Sequence, residues 1–197
     1  MNENYVHPDM PEGVEDGIVK GLYRLKTSAA KSKKRVQLMS AGTIMREVEA
    51  AAEILEAEYG VAADIWSMTS VNELARDGQR VVRRNMMNPA EQPQIPYVTQ
   101  CLAETEGPII AATDYMRAHT NQIREFMPRS FIVLGTDGFG RSDTQAKLRE
   151  FFEVDRRYVV LAAMTALADE GSIPRSDLSK VMSDLGVDPA KPDPTTV

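Results

Sequence analysis

One cysteine, two histidines and one tryptophan among 197 residues leave several kinds of chemistry without their usual residues. Cys101 alone cannot form an internal disulfide, and its setting in Tyr97-Val98-Thr99-Gln100-Cys101-Leu102 suits a half-buried, reduced thiol in a cytosolic chain. His7 and His119 lie far apart, neither is paired with Cys101 as a nucleophile dyad, and no metal-ligand spacing of His, Cys or carboxylates occurs. No run of about 18 or more apolar residues is present, and the opening Met1-Asn2-Glu3-Asn4-Tyr5 has neither the positive charge nor the apolar stretch of a secretory signal. The expectation is a cytoplasmic chain with no membrane partner. An excess of 29 acidic over 23 basic residues, net −6, argues against a broad phosphate-binding surface, so nucleic acid is not an expected partner.

The 43% apolar and 26% charged residues belong to an ordinary globular domain large enough to bury a core. Residues 1–34 read as a leader and linker, extended or turning, with an edge strand at 21–25 and a basic solvated run from Lys26 to Lys34. Val36–Ser40 is the first confident strand. A helix capped by Thr43 places Ile44, Val48, Ala51, Ala52, Leu55 and Tyr59 on one side, with Arg46, Glu47 and Glu49 elsewhere, and Gly60 ends it. Ala62–Met68 follows as a strand. This strand-helix-strand unit has the length of a right-handed parallel crossover.

Ser70 and Glu73 have capping-box spacing at the start of a short helix, after which the charged and turn-rich stretch from Arg76 reads as a surface crossing. A helical turn at 97–102, a strand at 109–113, a helix from Met116 to Met127 and a strand at 131–134 complete the sheet. Three helices are expected beyond it: 143–152 with a box opening at Ser142, one capped by Asp155 and ending near Gly171, and one after Pro174 capped by Ser176. Residues 35–186 form the domain, and the proline-rich 187–197 reads as a flexible tail. The expected fold is a three-layer α/β/α sandwich with a mostly parallel, mixed sheet of about five strands.

The stretch Gly135-Thr136-Asp137-Gly138-Phe139-Gly140-Arg141-Ser142-Asp143 joins the last strand to a helix, where open α/β sheets concentrate function. Its three glycines permit unusual backbone conformations while Asp137, Phe139 and Arg141 project from it. It is neither a P-loop nor Gly-x-Gly-x-x-Gly, so it reads equally as a packing turn or as a loop holding a small anion through backbone amides and Arg141. Asp114 and Asp137 each follow a strand and can face one crevice, though aspartate there commonly caps a turn.

Together with Met1-Asn2-Glu3-Asn4-Tyr5, three longer blocks carry a resemblance: Thr69-Ser70-Val71-Asn72-Glu73-Leu74-Ala75-Arg76-Asp77-Gly78, Ala112-Thr113-Asp114-Tyr115-Met116 and Leu134 through Asp143. In this order they resemble the carboxyl-terminal region of the homodimeric, bacterial-type pyruvate dehydrogenase decarboxylating subunit, from Met1 to about Leu185. The resemblance implies a parent enzyme of three α/β domains related to transketolase, using thiamine diphosphate and magnesium. The parent would decarboxylate pyruvate and acetylate a lipoyl group of the dihydrolipoyl acetyltransferase component. It further implies that the cofactor and catalytic residues lie upstream of Met1, so no catalytic, cofactor-binding or metal-ligating residue is assigned in this chain, and none of these groups is expected to bind it.

The implied role of such a third domain is assembly, with the upstream domains and the homodimer partner as neighbours. The contact loop is then Gly138, Phe139, Gly140, Arg141 and Asp143, with Phe139 as anchor and Arg141 as ion-pairing group. Two alternatives stay open: an effector crevice formed by Thr69, Ser70, Asp114, Thr136 and Asp137, and an acidic docking surface for the acetyltransferase component.

Overall fold

Alternation along each strand divides the molecule into two cores. The computed structural model describes residues 9–197; the Met1–Tyr5 block and His7 lie outside them. Its sheet runs β1-β3-β2-β4-β5. The strands are β1 (Leu22–Lys26), β2 (Arg35–Ser40), β3 (Ala62–Met68), β4 (Ile109–Ala112) and β5 (Phe131–Leu134). β2 pairs in parallel with β3 and β4, and β4 with β5, while β1 closes one edge antiparallel to β3.

Val36, Leu38, Ala63, Ile65 and Ile110 point to one face, where they meet α2 (Met45–Tyr59), α7 (Arg156–Asp169) and α8 (Leu178–Asp184). Met39, Trp66, Ile109, Ala111 and Phe131 point to the other, under α3 (Val71–Met87) and α4 (Tyr97–Leu102). The remaining helices are α1 (Glu15–Lys20), α5 (Arg117–Asn121) and α6 (Gln145–Phe151). The fold is thus the expected α/β/α sandwich on a five-stranded mixed sheet. Each large apolar side chain closed between layers contributes about 1.5–3 kcal/mol.

One polar cluster sits inside the sheet. The buried Asp64 carboxylate accepts from Ser28 N at 2.9 Å, Arg35 Nη1 at 2.7 Å and Gln37 Nε2 at 2.9 Å. Gln37 Oε1 in turn accepts from Trp66 Nε1 at 2.7 Å. Every buried polar group of this cluster therefore has a partner, which is the condition for tolerating it in a core. Ser28 is itself buried, so the basic run 26–34 is anchored at that point and not a fully solvated loop.

Several local expectations need correction. Residues 15–20 form a helix closed by Gly21 at φ 99°, where a turning leader was expected. The helix begun at Ser70 does not stop at Arg76. It runs 17 residues to Met87, with Leu74, Ala75, Gly78 and Val81 inward and arginines outward. Gly78 lets it lie against the Phe126 ring, which a Cβ would strike. The single helix expected over 116–127 is instead α5 followed by a 3₁₀ turn at Arg124–Phe126. Thr43 gives no side-chain cap to α2. α6 is capped by Thr144, whose hydroxyl accepts from Lys147 N, and not by Ser142. Ser176 lies within a 3₁₀ turn, and α8 has no side-chain cap.

Candidate functional site

The chain leaves β2 toward α2 on one face and leaves β4 toward α5 on the other, so their carboxyl ends flank the point where strand order reverses. Open α/β sheets leave a crevice at such a point. Here it has a volume of about 400 Å³ and is lined by the polar Thr43, Asp114, Thr136 and Arg141 and the apolar Leu148 and Phe152. Gly42, at φ 62°, turns the chain at the end of β2.

The glycine loop has two unlike halves. Its first half is sewn to the β4–α5 connection: Thr136 N donates to Tyr115 O at 2.9 Å, and Thr136 Oγ1 to Asp114 O at 2.8 Å. Asp137 Oδ2 accepts from Arg117 Nε at 2.6 Å and from Arg117 N at 3.2 Å. A Cβ on Gly135 would lie 2.6 Å from Tyr115 O, so only glycine allows this approach. The second half stands out from the fold, and Phe139 is 81% exposed. Arg141 turns back onto its own chain, its guanidinium 4.2 Å from the centre of the Phe151 ring. Asp143 Oδ1 accepts from Thr144 N at 2.7 Å, shaping the entry to α6.

The crevice drawn from sequence is only partly assembled. Asp114 and Thr136 share it, whereas Asp137 faces Arg117 and a separate cavity of about 230 Å³ lined also by Lys191 and Pro194. Thr69 and Ser70 are not among its lining residues. Thr69 Oγ1 donates to Ile18 O at 2.7 Å, and Ser70 Oγ accepts from Glu73 N at 3.2 Å, so both serve α1 and α3. Thr43, Gln145, Leu148 and Phe152 were missed. The signal for Thr43 was present, since Ala41-Gly42 after β2 is the same strand-then-glycine pattern; the α6 residues carried none.

Beneath the crevice, Glu47 is buried at 7% exposure, although the helical period set it among the outward residues. Arg156 Nε donates to its Oε2 at 2.9 Å and Arg149 Nη1 to its Oε1 at 3.1 Å. Burial alone would raise its pKa. The hydrogen bonds and charge of Arg156, with the charge of Arg149, more than offset this and hold the carboxyl below the ordinary glutamate value. His119 lies half-buried, its ring tilted 4.8 Å from that of Tyr115.

The same arrangement tests the implied cofactor. Asp114 is the one carboxylate lining the crevice, and no group of three or more His, Cys, Asp or Glu among the described residues is placed to hold a metal ion. A magnesium diphosphate needs several oxygen ligands in near-octahedral array. These residues do not fit it.

The family described as transketolase-like TK C-terminal domain matches residues 21–155. The chain belongs to this family. Along its whole length the domain is 52% identical, over 198 residues, to the pyruvate dehydrogenase E1 component of Cupriavidus necator. The corresponding proteins of Pseudomonas aeruginosa and Escherichia coli K12 are 51% and 47% identical over 195 residues, 98% of this chain. The chain spans about a fifth of these relatives, 22% of each. Among solved structures, a transketolase from Leishmania mexicana superposes with a TM-score of 0.51 at 15% identity, over 78% of this chain and 19% of that one. A split-gene transketolase described as an inactive beta4 tetramer gives 0.50 at 20% identity, over 76% and 43%. At these identities the two structures speak for the fold alone, and for this transketolase-like domain they agree with the sheet described above.

Proposed function

We propose that this transketolase-like domain is the carboxyl-terminal domain of a pyruvate dehydrogenase E1 component and serves its assembly. The parent enzyme then decarboxylates pyruvate on thiamine diphosphate with magnesium and transfers the acetyl group to a lipoyl arm of the acetyltransferase component. In that enzyme this domain braces the upstream domains and the homodimer partner and supplies no catalytic group. Among the described residues no helix is long and apolar enough to cross a membrane; a cytoplasmic setting for the parent is part of the proposal.

The observation that carries this reading is Phe139. An aromatic side chain 81% exposed, on a loop whose base is fixed by the Asp137–Arg117 ion pair and the Thr136 bonds, has the form of an anchor waiting for a pocket. The base of the loop is already fixed by the fold, so burying the ring against a neighbour costs mainly the ordering of the loop tip and one side chain.

The test is replacement of Phe139 and Arg141 by alanine in the full-length enzyme, with dimer dissociation followed by sedimentation and thiamine diphosphate retention by gel filtration. Dimer affinity should fall about tenfold or more, in the range of a lost anchor. Unchanged values for both would overturn the assembly role. The crevice at the sheet's reversal point favours a second reading, an effector site for a small anion. A saturable rise in thermal stability of the chain with inorganic phosphate would support it, and no rise would remove it.

A further inference from the structure

The residues after α8 were expected to be a loose tail, yet they return to the glycine loop and lock onto it. Lys191 is the fastener. Its side chain is 19% exposed, and its ammonium donates to Phe151 O at 2.8 Å and to Glu153 Oε1 at 2.8 Å. The same ammonium lies 5.5 Å from the centre of the Phe151 ring and 5.7 Å from that of Tyr158. Phe151 O belongs to the last turn of α6, where carbonyls lack helical partners and attract a cation. Glu153 adopts φ 61°, a left-handed conformation uncommon for a side-chain-bearing residue, and in it the carboxylate meets Lys191.

Three residues on, Pro194 is buried. Its carbonyl lies against Gly138, at φ 111°, so closely that a Cβ there would overlap the Pro194 oxygen. The loop is thereby held from two directions. Arg141 stacks on Phe151 from the loop side, and Lys191 grips Phe151 and Glu153 from the strap side. Asp193 accepts from Thr195 N at 2.8 Å and from Thr195 Oγ1 at 2.7 Å, which fixes the strap's own turn at the point of contact.

The geometry points to residues 191–195 as a strap that sets the pose of the Gly138–Arg141 loop, with Lys191 as the positioning residue, so that strap engagement controls presentation of Phe139. The part concerning assembly rests on the reading of Phe139 as the anchor; the strap itself does not. When Lys191 releases Phe151 and Glu153, Pro194 no longer backs Gly138 and the exposed half of the loop loses its fixed direction.

The test uses Lys191→Met, which keeps the stem and removes the charge, Lys191→Arg as the conservative variant, and Gly138→Ala, which drives loop and strap apart from the other side. Cleavage after Arg141 by a low dose of trypsin is read in the 197-residue chain, beside the denaturant midpoint. Lys191→Met and Gly138→Ala should speed cleavage at this site about tenfold or more with little change in midpoint, and Lys191→Arg should restore much of the resistance. Unchanged cleavage in both Lys191→Met and Gly138→Ala overturns the strap. Dimer affinity of the full-length enzyme carrying Lys191→Met separates the two ideas. Faster cleavage with weakened dimers supports control of presentation. Faster cleavage with unchanged dimers leaves the strap in place and overturns its link to assembly.

Discussion

Glu47 and Arg156 join α2 to the start of α7 through a carboxylate that accepts from both the side chain and the backbone of the arginine, at 2.9 and 3.1 Å. The contact ties helices that together cover one face of the sheet.

Because the folded-state pKa of Glu47 is depressed, this contact's contribution is fully present above the ordinary glutamate value near 4.5 and disappears as pH falls through the lower folded value. Denaturant titrations across this window should show wild-type stability falling with acid. Glu47→Gln should show a shallower fall. At neutral pH, Glu47→Ala should cost about 1.5–3 kcal/mol, since it removes the buried carboxylate that accepts charged hydrogen bonds from both Arg149 and Arg156.

Gly78→Ala would ordinarily favour a helix by about 1 kcal/mol. In α3 the added methyl meets the Phe126 ring, and Phe126 is itself buried. The substitution should therefore destabilise the chain, by about 1–3 kcal/mol. Pairing it with Phe126→Leu, which makes room, should recover part of that loss in a double-mutant cycle.

Asp155 caps α7, its carboxylate accepting from Arg157 N at 2.9 Å and from Tyr158 N at 3.3 Å. The same group accepts from the Arg157 side chain at 2.7 Å. Asp155→Ala should lower the unfolding free energy by about 1–2 kcal/mol, and Asp155→Asn, which still caps, by less. Chemical denaturation of the three proteins decides between a cap and a bystander.

Burial raises the pKa of the Cys101 thiol, partly countered by its hydrogen bond with Tyr97 and by the nearby charges of Lys20 and Arg24. At neutral pH it should react with a disulfide reagent more slowly than an unstructured cysteine, by about tenfold or more. The rate should rise with pH and reach the unstructured value on unfolding. A fast reaction in the folded chain would contradict the half-buried, desolvated placement.

The strands were legible because alternation and turn residues bound them tightly: Ala62–Met68 and Phe131–Leu134 have the limits that the sequence implied. The full length of α3 is not legible, because Gly78 and the surrounding arginines hide its narrow inward stripe. Glu47 was misplaced for a related reason. A charged residue in an amphipathic helix is ordinarily outward, and only the arginines of α6 and α7, about a hundred positions later, explain its burial. Thr69 and Ser70 were grouped with Asp114 because all follow strands, and sequence alone could not show which face each loop leaves toward. The strap is not legible in the sequence, since proline-rich composition describes local stiffness and says nothing of distant contacts.

Trp66 is the only tryptophan of the chain, it is 3% exposed in the central part of the sheet, and its indole nitrogen is bound to Gln37. The molecule thus carries a single optical reporter at its middle. Its emission should be that of a dry, hydrogen-bonded indole while β2 and β3 stay paired, and should shift toward the red when water reaches them. Loosening at the glycine loop, far along the sheet, would leave the colour unchanged, so one fluorescence trace distinguishes opening of the periphery from separation of the central strands.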